Sequence, residues 1–266
     1  FYQLRDFNLS INASTKLYGI LDLRKKTFRH VITPSISFSY HPDFSNEFWN
    51  IYSNVQNDSI GNQEIYSHYN GSIYGFPRAG KFGNVSFSLR NNLEMKLKNK
   101  ENKKIKIIED FSINGNYNLA VDSLNLSPIY VNIRNKISKN FDFQMNTILD
   151  PYKVSENGVR INKLYFEDGK IGRITSSNFN LNMKFTNLEK SEKHKYHVPW
   201  NINLYYNISY RKPTTQSEII QSLNFDGEIG LSKKWNLKFR SGYDLKNKDF
   251  TITSFDIYRD LHCWEM

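Results

Sequence analysis

Apolar and polar residues alternate along most of this chain. In the segment VSFSLRNNLEMKL, residues 85–97, every even-numbered residue is polar and most odd-numbered ones are apolar. Successive side chains of a β-strand point to opposite faces of a sheet, so the segment predicts a strand with one apolar and one polar face. About eleven segments follow this pattern. They are residues 7–17, 32–40, 85–97, 111–119, 129–137, 141–149, 179–185, 200–210, 223–231, 235–245 and 250–264.

The connections between these segments differ in length. Short, often basic ones at 24–29, 98–104, 138–140 and 232–234 contrast with long ones at 42–84 and 151–173. The second long connection is expected to hold a hairpin of its own, with its turn at 167–169. This organisation is typical of an outer-membrane barrel, which has short periplasmic turns and longer outer loops. The predicted fold class is therefore an all-β, transmembrane antiparallel β-barrel.

In a barrel, the two faces of each strand would meet different surroundings. The polar positions would line a wet lumen, where amides can bind sugars and basic residues can attract phosphate or carboxylate groups. These predicted lumen-facing residues are Arg90, Asn114, Asn116, Arg134, Lys136, Asn180, Asn182, Lys184, Asn201, Asn203, Lys238 and Arg240. The predicted lipid-facing residues are Phe87, Leu89, Phe143, Leu181, Leu204 and Phe239. Trp200, Trp235 and Trp264 would lie at the short-turn rim, at headgroup level.

The amino-acid composition is compatible with a β-barrel but does not by itself predict one. Only 39% of residues are hydrophobic and the mean hydropathy is -0.62, yet 15% are aromatic. No run approaches the roughly 18 apolar residues of a membrane-spanning helix, but barrel strands average to polar because their hydrophobicity alternates. The net charge of +10 predicts affinity for anions and does not choose between nucleic acid, phospholipid and phosphorylated glycolipid.

Candidate chemical motifs are weak. His194 and His197 lie three positions apart with no third metal ligand at a recognised spacing. The glycines of YGFPRAGKFGN, residues 74–84, lack the Lys-Ser/Thr ending of a phosphate-binding loop. The sequence therefore predicts no enzyme, no metal site and no cofactor.

Four long stretches resemble one known family. They are YGILDLRKKTFRHVITPSISFSYHPDFS at 18–45, YGFPRAGKFGNVSFSLRNNLEMKLKNK at 74–100, DPYKVSENGVRINKLYFEDGKIGRITSSNFNLNMKF at 150–185 and ITSFDIYRDLHCWEM at 252–266. In this order they resemble the carboxy-terminal barrel of the LptD family, the lipopolysaccharide-assembly outer-membrane proteins, in the form found in Bacteroidota.

The resemblance implies both architecture and function. Residues 1–266 would be part of a larger outer-membrane barrel that delivers lipopolysaccharide to the outer leaflet. It implies a Gram-negative outer membrane, contact with membrane lipids, an LptE-like plug lipoprotein and the periplasmic Lpt bridge, and no nucleic acid. Cys263 has two interpretations. It is a small buried apolar group near the end of a strand, or, as disulfides between domains in related proteobacterial proteins imply, it pairs with a cysteine of an amino-terminal part outside this chain.

Two other functions share parts of this pattern. A porin or nutrient-transporter barrel would have the same periodicity and a different cargo. A soluble or cell-surface β-sandwich, such as a carbohydrate binder or adhesin, would instead pack its apolar faces against each other.

Overall fold

A computed structural model describes residues 4–98, 104–187, 198–232 and 234–259. These residues form β-strands and two short 3-10 helices, at Glu47–Trp49 and Tyr165–Asp168. The strands are β1 Leu9–Ser14, β2 Leu17–Leu23, β3 Lys26–His41, β4 Tyr52–Gln56, β5 Gln63–Ser67, β6 Phe82–Leu97, β7 Lys104–Asn118, β8 Ile129–Lys136, β9 Phe141–Asp150, β10 Tyr152–Val154, β11 Arg160–Leu164, β12 Arg173–Asn187, β13 Trp200–Arg211, β14 Glu218–Gly230, β15 Trp235–Asp244, β16 Asp249–Phe250 and β17 Ser254–Arg259. Among the described residues, none of the helices has the length and apolar character needed to span a membrane.

Thirteen of these strands form one antiparallel sheet in which chain neighbours are also spatial neighbours. Its order is β1, β3, β6, β7, β8, β9, β12, β13, β14, β15 and β16, with β2 also on β3 and β17 also on β15. Because β1 and β2 share one edge position and β16 and β17 share the other, the sheet is eleven strands wide. This meander confirms the all-β prediction and has the organisation of a partial barrel wall.

A proline divides the first edge strand. The amide of Thr15 donates to the carbonyl of Pro34, so the nitrogen of Pro34 also faces this edge. Proline has no N–H to donate, and the ladder formed by β1 ends at Ser14 and resumes with β2 at Leu17. On the other side of β3, the register with β6 continues without a shift.

The described sheet is a single layer. The accessible surface is 20198 Å², compared with about 12,000 Å² expected for a compact protein of 31.4 kDa. The buried hydrophobic residues are Phe44, Ile51, Ile129 and Tyr152 alone among those described. A β-sandwich needs a second large sheet against its apolar face, whereas the other sheets of the described residues are the two-stranded hairpins β4–β5 and β10–β11. The described residues therefore do not form the two packed sheets that the sandwich interpretation expects.

The long connections lie at one end of the sheet. The connection from β3 to β6 contains a hairpin, β4–β5, that the sequence pattern did not predict. In the connection from β9 to β12 the expected hairpin is present as β10–β11, but its turn lies at 155–159 rather than 167–169. Residues 167–169 instead end a 3-10 helix, where Gly169 takes a φ of 71° that favours glycine.

The first hairpin of the opposite end is longer than expected. Strands β2 and β3 pair up to Leu23 and Lys26, so only Arg24 and Lys25 form the turn, in place of the predicted connection at 24–29. Backbone pairing continues through this polar stretch because each residue keeps a ladder partner whatever its side chain.

Candidate functional site

The register of the sheet assigns every paired residue to one of two faces. Residues directly opposite in an antiparallel pair point to the same face. Asn180, for example, lies opposite Gln144 on β9 and Asn207 on β13. Followed from β3 to β17, these pairings bring all twelve residues of the predicted lumen set onto one face, here called the polar face. The six residues of the predicted lipid set lie on the opposite, apolar face.

The middle of the polar face is lined by amides. Asn132, Asn146 and Asn178 form a row across β8, β9 and β12. In the next rows Asn207 Nδ2 donates to Asn180 Oδ1 at 2.7 Å, and Asn182 Nδ2 donates to Asp142 at 2.9 Å. Amides both donate and accept hydrogen bonds, so this surface can exchange partners with hydroxyl-rich molecules.

Several cations of the polar face lie beside carboxylates. Arg90 Nε is 3.4 Å from Asp110 Oδ1. Lys136 lies opposite Asp142, while Arg240 lies opposite Asp226 and Lys238 lies between Glu228 and Asp256. At these positions a carboxylate on the same face offsets the positive charge expected to attract phosphate. Lys184 differs from them, since it lies opposite Asn203.

The apolar face ends in aromatic residues on both sides. Trp200 and Trp235, at the first positions of β13 and β15, lie on this face at the short-turn end. Four tyrosines lie at its long-loop end, and the sequence pattern did not single them out: Tyr40, Tyr117, Tyr210 and Tyr243. From Trp200 to Tyr210 is about 34 Å along the strand, or about 26 Å across a bilayer at a tilt of about 40°. This spacing fits the apolar band of an outer-membrane barrel.

Charge is almost absent from the apolar face. In the described sheet, the paired positions of the apolar face carry no Asp or Glu. Glu109, in the bulge of β7, contacts Lys106, which lies on the polar face. The cations of the apolar face are Lys26 and Arg259, each at the short-turn end of its strand. The guanidinium of Arg259 lies 5.2 Å from the ring centre of Trp235. Trp264 and Cys263, named from the sequence, lie outside the described residues, as do His194 and His197.

Comparison with known families agrees with this geometry. The family model described as LptD protein matches residues 1–152, more than half of the chain. The chain belongs to the LptD family. No curated protein and no solved structure matches it. Membership confirms the resemblance to the LptD family as such and supports a general role in lipopolysaccharide transport and assembly at the outer membrane of Gram-negative bacteria. The family is a non-enzymatic transport and assembly component.

Two predicted lipid-facing rings of this LptD-family sheet cover glycines. Phe87 lies across from Gly115, and Phe239 lies across from Gly227. A Cβ at Gly227 would come within 2.6 Å of the Phe239 ring and of the Asn201 carbonyl oxygen. A ring over a strand glycine restores the packing that the missing side chain leaves out. Phenylalanine opposite glycine is the sequence signal for this contact, but it is visible only once the register is known.

A buried carboxylate joins the long connections of the LptD-family sheet. Asp150 is 1% exposed and lies 2.7 Å from Arg160 Nε and 3.4 Å from Arg173 Nη2. Arg173 also donates to the backbone carbonyls of Lys212, Pro213 and Thr214. The cluster therefore ties the β10–β11 hairpin to the β13–β14 connection. Sequence alternation gave no signal for it, since all these residues lie at strand ends or in loops.

Loop carboxylates at this end are held in their charged forms. Hydrogen bonds from Ser45, from its amide and its hydroxyl, lower the pKa of Asp43, and the amide of Gly80 donates at 2.8 Å. The Lys153 ammonium, 2.8 Å from Asp168, lowers the pKa of that carboxyl. In the described residues, no group of three or more His, Cys, Asp or Glu could hold a metal ion. These contacts are those of ordered loops.

Proposed function

We propose that this LptD-family chain forms part of the outer-membrane β-barrel that inserts lipopolysaccharide into the outer leaflet. The observation that carries the proposal is the separation of a hydrogen-bonding polar face from an apolar face bordered by Trp and Tyr, in a chain of this family. The polar face is the lumen and the apolar face contacts lipid. The host is a Bacteroidota-type Gram-negative bacterium.

The polar face provides the passage for the sugars. Its rows of Asn side chains continue from strand to strand, so a hydroxyl that leaves one amide finds another on the neighbouring strand. Paired charges such as Arg240 and Asp226 keep the passage hydrated without holding an anion tightly. The part of the barrel in this chain therefore favours movement of the glycan over its retention.

The two ends of the sheet have different tasks in this proposal. The short turns face the periplasm, where the Lpt bridge delivers lipopolysaccharide. The long connections around Asp150 and Phe44 face the cell exterior. An LptE-like plug lipoprotein lies against the polar face. No covalent bond is formed or broken by this chain.

Depletion of the full-length protein in its host tests the delivery role. Newly made lipopolysaccharide is followed by surface labelling, and an unrelated outer-membrane barrel is followed as the control for general assembly. We expect lipopolysaccharide to remain inside the cell while the control barrel still assembles. Normal arrival at the surface would contradict the proposal and favour a porin or nutrient transporter.

Complementation tests the polar face itself. Full-length protein with Asn180→Leu and Asn182→Leu is compared with protein carrying Asn180→Ser and Asn182→Ser at equal levels in the membrane. We expect the leucine variant to slow surface arrival and the serine variant to support it, because serine, like asparagine, has a side-chain group that can donate and accept hydrogen bonds and leucine has none. Equal rates would show that these residues do not line the passage.

A further inference from the structure

The turn between β2 and β3 combines uncompensated charge with an open apolar surface. Arg24 and Lys25 form the turn, and Lys26 begins β3. The nearby carboxylate of Asp22 is already occupied, since Lys98 Nζ lies 2.5 Å from it. Among the described residues, no carboxylate lies within ion-pair distance of the three turn cations. Within the described residues, the positive charge of the turn is therefore not offset by a carboxylate and can attract an anion.

Lys26 marks the margin of the apolar face. It lies between Leu23 on β2 and Leu97 on β6, on the same face as both. Next along β3 on this face is Phe28, opposite Leu21. A lysine in this position keeps its stem against the apolar surface and extends its ammonium to the water interface.

A notch follows directly below this margin. Gly19 lies opposite His30 on the apolar face, and the notch is lined by Leu21, Phe28 and Leu93 as well. Gly19 has no side chain to cover His30, whereas the neighbouring Leu21 on the same strand projects outwards and is 60% exposed. A hydrocarbon chain descending from Lys26 would pass Phe28 and Leu21 and then enter the notch.

The distribution of charge on the apolar face favours one class of ligand. Within the described strands, the cations of this face, Lys26 and Arg259, lie at the short-turn end, whereas tyrosines border the long-loop end. Each Lys or Arg near an anionic membrane surface adds to lipid binding. We propose that the apolar side of the β2–β3 hairpin binds one anionic phospholipid, its phosphate at Arg24, Lys25 and Lys26 and an acyl chain in the notch at Gly19. This rests on the membrane placement in the proposed function.

Native mass spectrometry of the full-length protein tests this site. The protein is reconstituted in nanodiscs with equal phosphatidylglycerol and phosphatidylcholine, extracted, and its retained lipid identified. Wild type is expected to retain one phosphatidylglycerol. Arg24→Gln, Lys25→Gln and Lys26→Gln together should lower the ratio of retained phosphatidylglycerol to phosphatidylcholine about tenfold or more. The matched control, Arg78→Gln, Lys81→Gln and Lys246→Gln, removes equal charge at the long-loop end and should leave the ratio unchanged.

A second variant separates the notch from the charges. The Cβ of a residue at position 19 would lie 3.8 Å from its nearest neighbour, so Gly19→Leu can fold while filling the notch. It should reduce retention of both lipids with all cations present, and equal circular dichroism confirms equal folding. Equal retention of both lipids by wild type, or equal loss in the control variant, would overturn the site.

Two further outcomes distinguish this phospholipid site from a site for transported lipopolysaccharide, and from failure of the proposed function. Displacement of phosphatidylglycerol by added lipid A would show a cargo site and overturn the phospholipid assignment. Lipid retention is read on purified protein and lipopolysaccharide delivery in cells. In one outcome, the purified barrel retains phosphatidylglycerol as described, yet lipopolysaccharide still reaches the surface of cells depleted of the protein. That pair of results would support the lipid site and refute the delivery role.

Discussion

On β13, Asn203 and Asn207 lie on the polar face, while Leu204 and Ile208, one position further along, lie on the apolar face. Asn207 finds its partner within its own face, at Asn180 on the adjoining strand. The leucine and isoleucine have no second protein layer to cover them in the described structure. One strand thus has two different surroundings. Its polar side chains find partners within the protein, whereas no protein layer covers its apolar side chains in the described structure.

The largest expected effect comes from placing a charge on the apolar face. Leu204→Arg should destabilise the full-length barrel by roughly 2–4 kcal/mol, since the position lies midway between the aromatic borders. Asn203→Arg is the matched control, and its guanidinium can pair with Asp226. Urea unfolding in lipid vesicles measures both. Equal losses would remove the distinction between the two faces.

Packing within the apolar face is tested at the contact between Gly227 and Phe239. Gly227→Ala should cost about 1–3 kcal/mol, because its Cβ would press on the Phe239 ring and the Asn201 carbonyl. Gly19→Ala is the control, since its Cβ meets nothing closer than 3.8 Å. The same unfolding measurement applies. A neutral Gly227→Ala would mean that Phe239 can move aside into lipid.

A smaller effect is expected for a hydrogen bond on the polar face. Asn203 Nδ2 donates to Asp226 at 2.8 Å, and Asn203→Ala should cost about 1 kcal/mol because water can replace this partner. A double-mutant cycle with Asp226→Ala isolates the pair. A coupling energy near zero would show that the contact is not formed in the membrane.

The smallest effect concerns the long-loop end, which belongs to neither face. The lowered pKa of Asp43 means that its contribution to loop stability is complete above the ordinary carboxyl pKa and is lost as pH falls through the lowered value. Hydrogen exchange at the Gly80 amide should therefore gain an additional acceleration at acidic pH, relative to the intrinsic rate, in wild type. Asp43→Asn should show no such step, and a step that persists in this variant would assign it to another group.

Alternation in the sequence was enough to predict the wall of the sheet. Strands such as β6 and β13 were found because period-two patterning is a local property of the chain. The loops were predicted only in part. A hairpin is expected in the connection from β9 to β12 and is present as β10–β11, but residues 167–169 fit a hairpin turn as well as the end of a 3-10 helix. The β4–β5 hairpin was missed because its strands, YSNVQ and QEIYS, are short and have few apolar residues to alternate. The Asp150 cluster depends on contacts between separate strand ends and loops.

Alternation along the chain assigns the residues of each strand to its two faces, since neighbouring side chains must point to opposite sides. The sequence also carried the four stretches that resemble the LptD family. Alternation does not show how the strands align, and the pairing in the folded sheet joins their faces into two continuous surfaces, because register fixes which residues lie opposite each other. The same register places Phe239 opposite Gly227 and brings the tyrosines to one border of the apolar face. It also places Gly19 opposite His30, close to the cations of the β2–β3 turn.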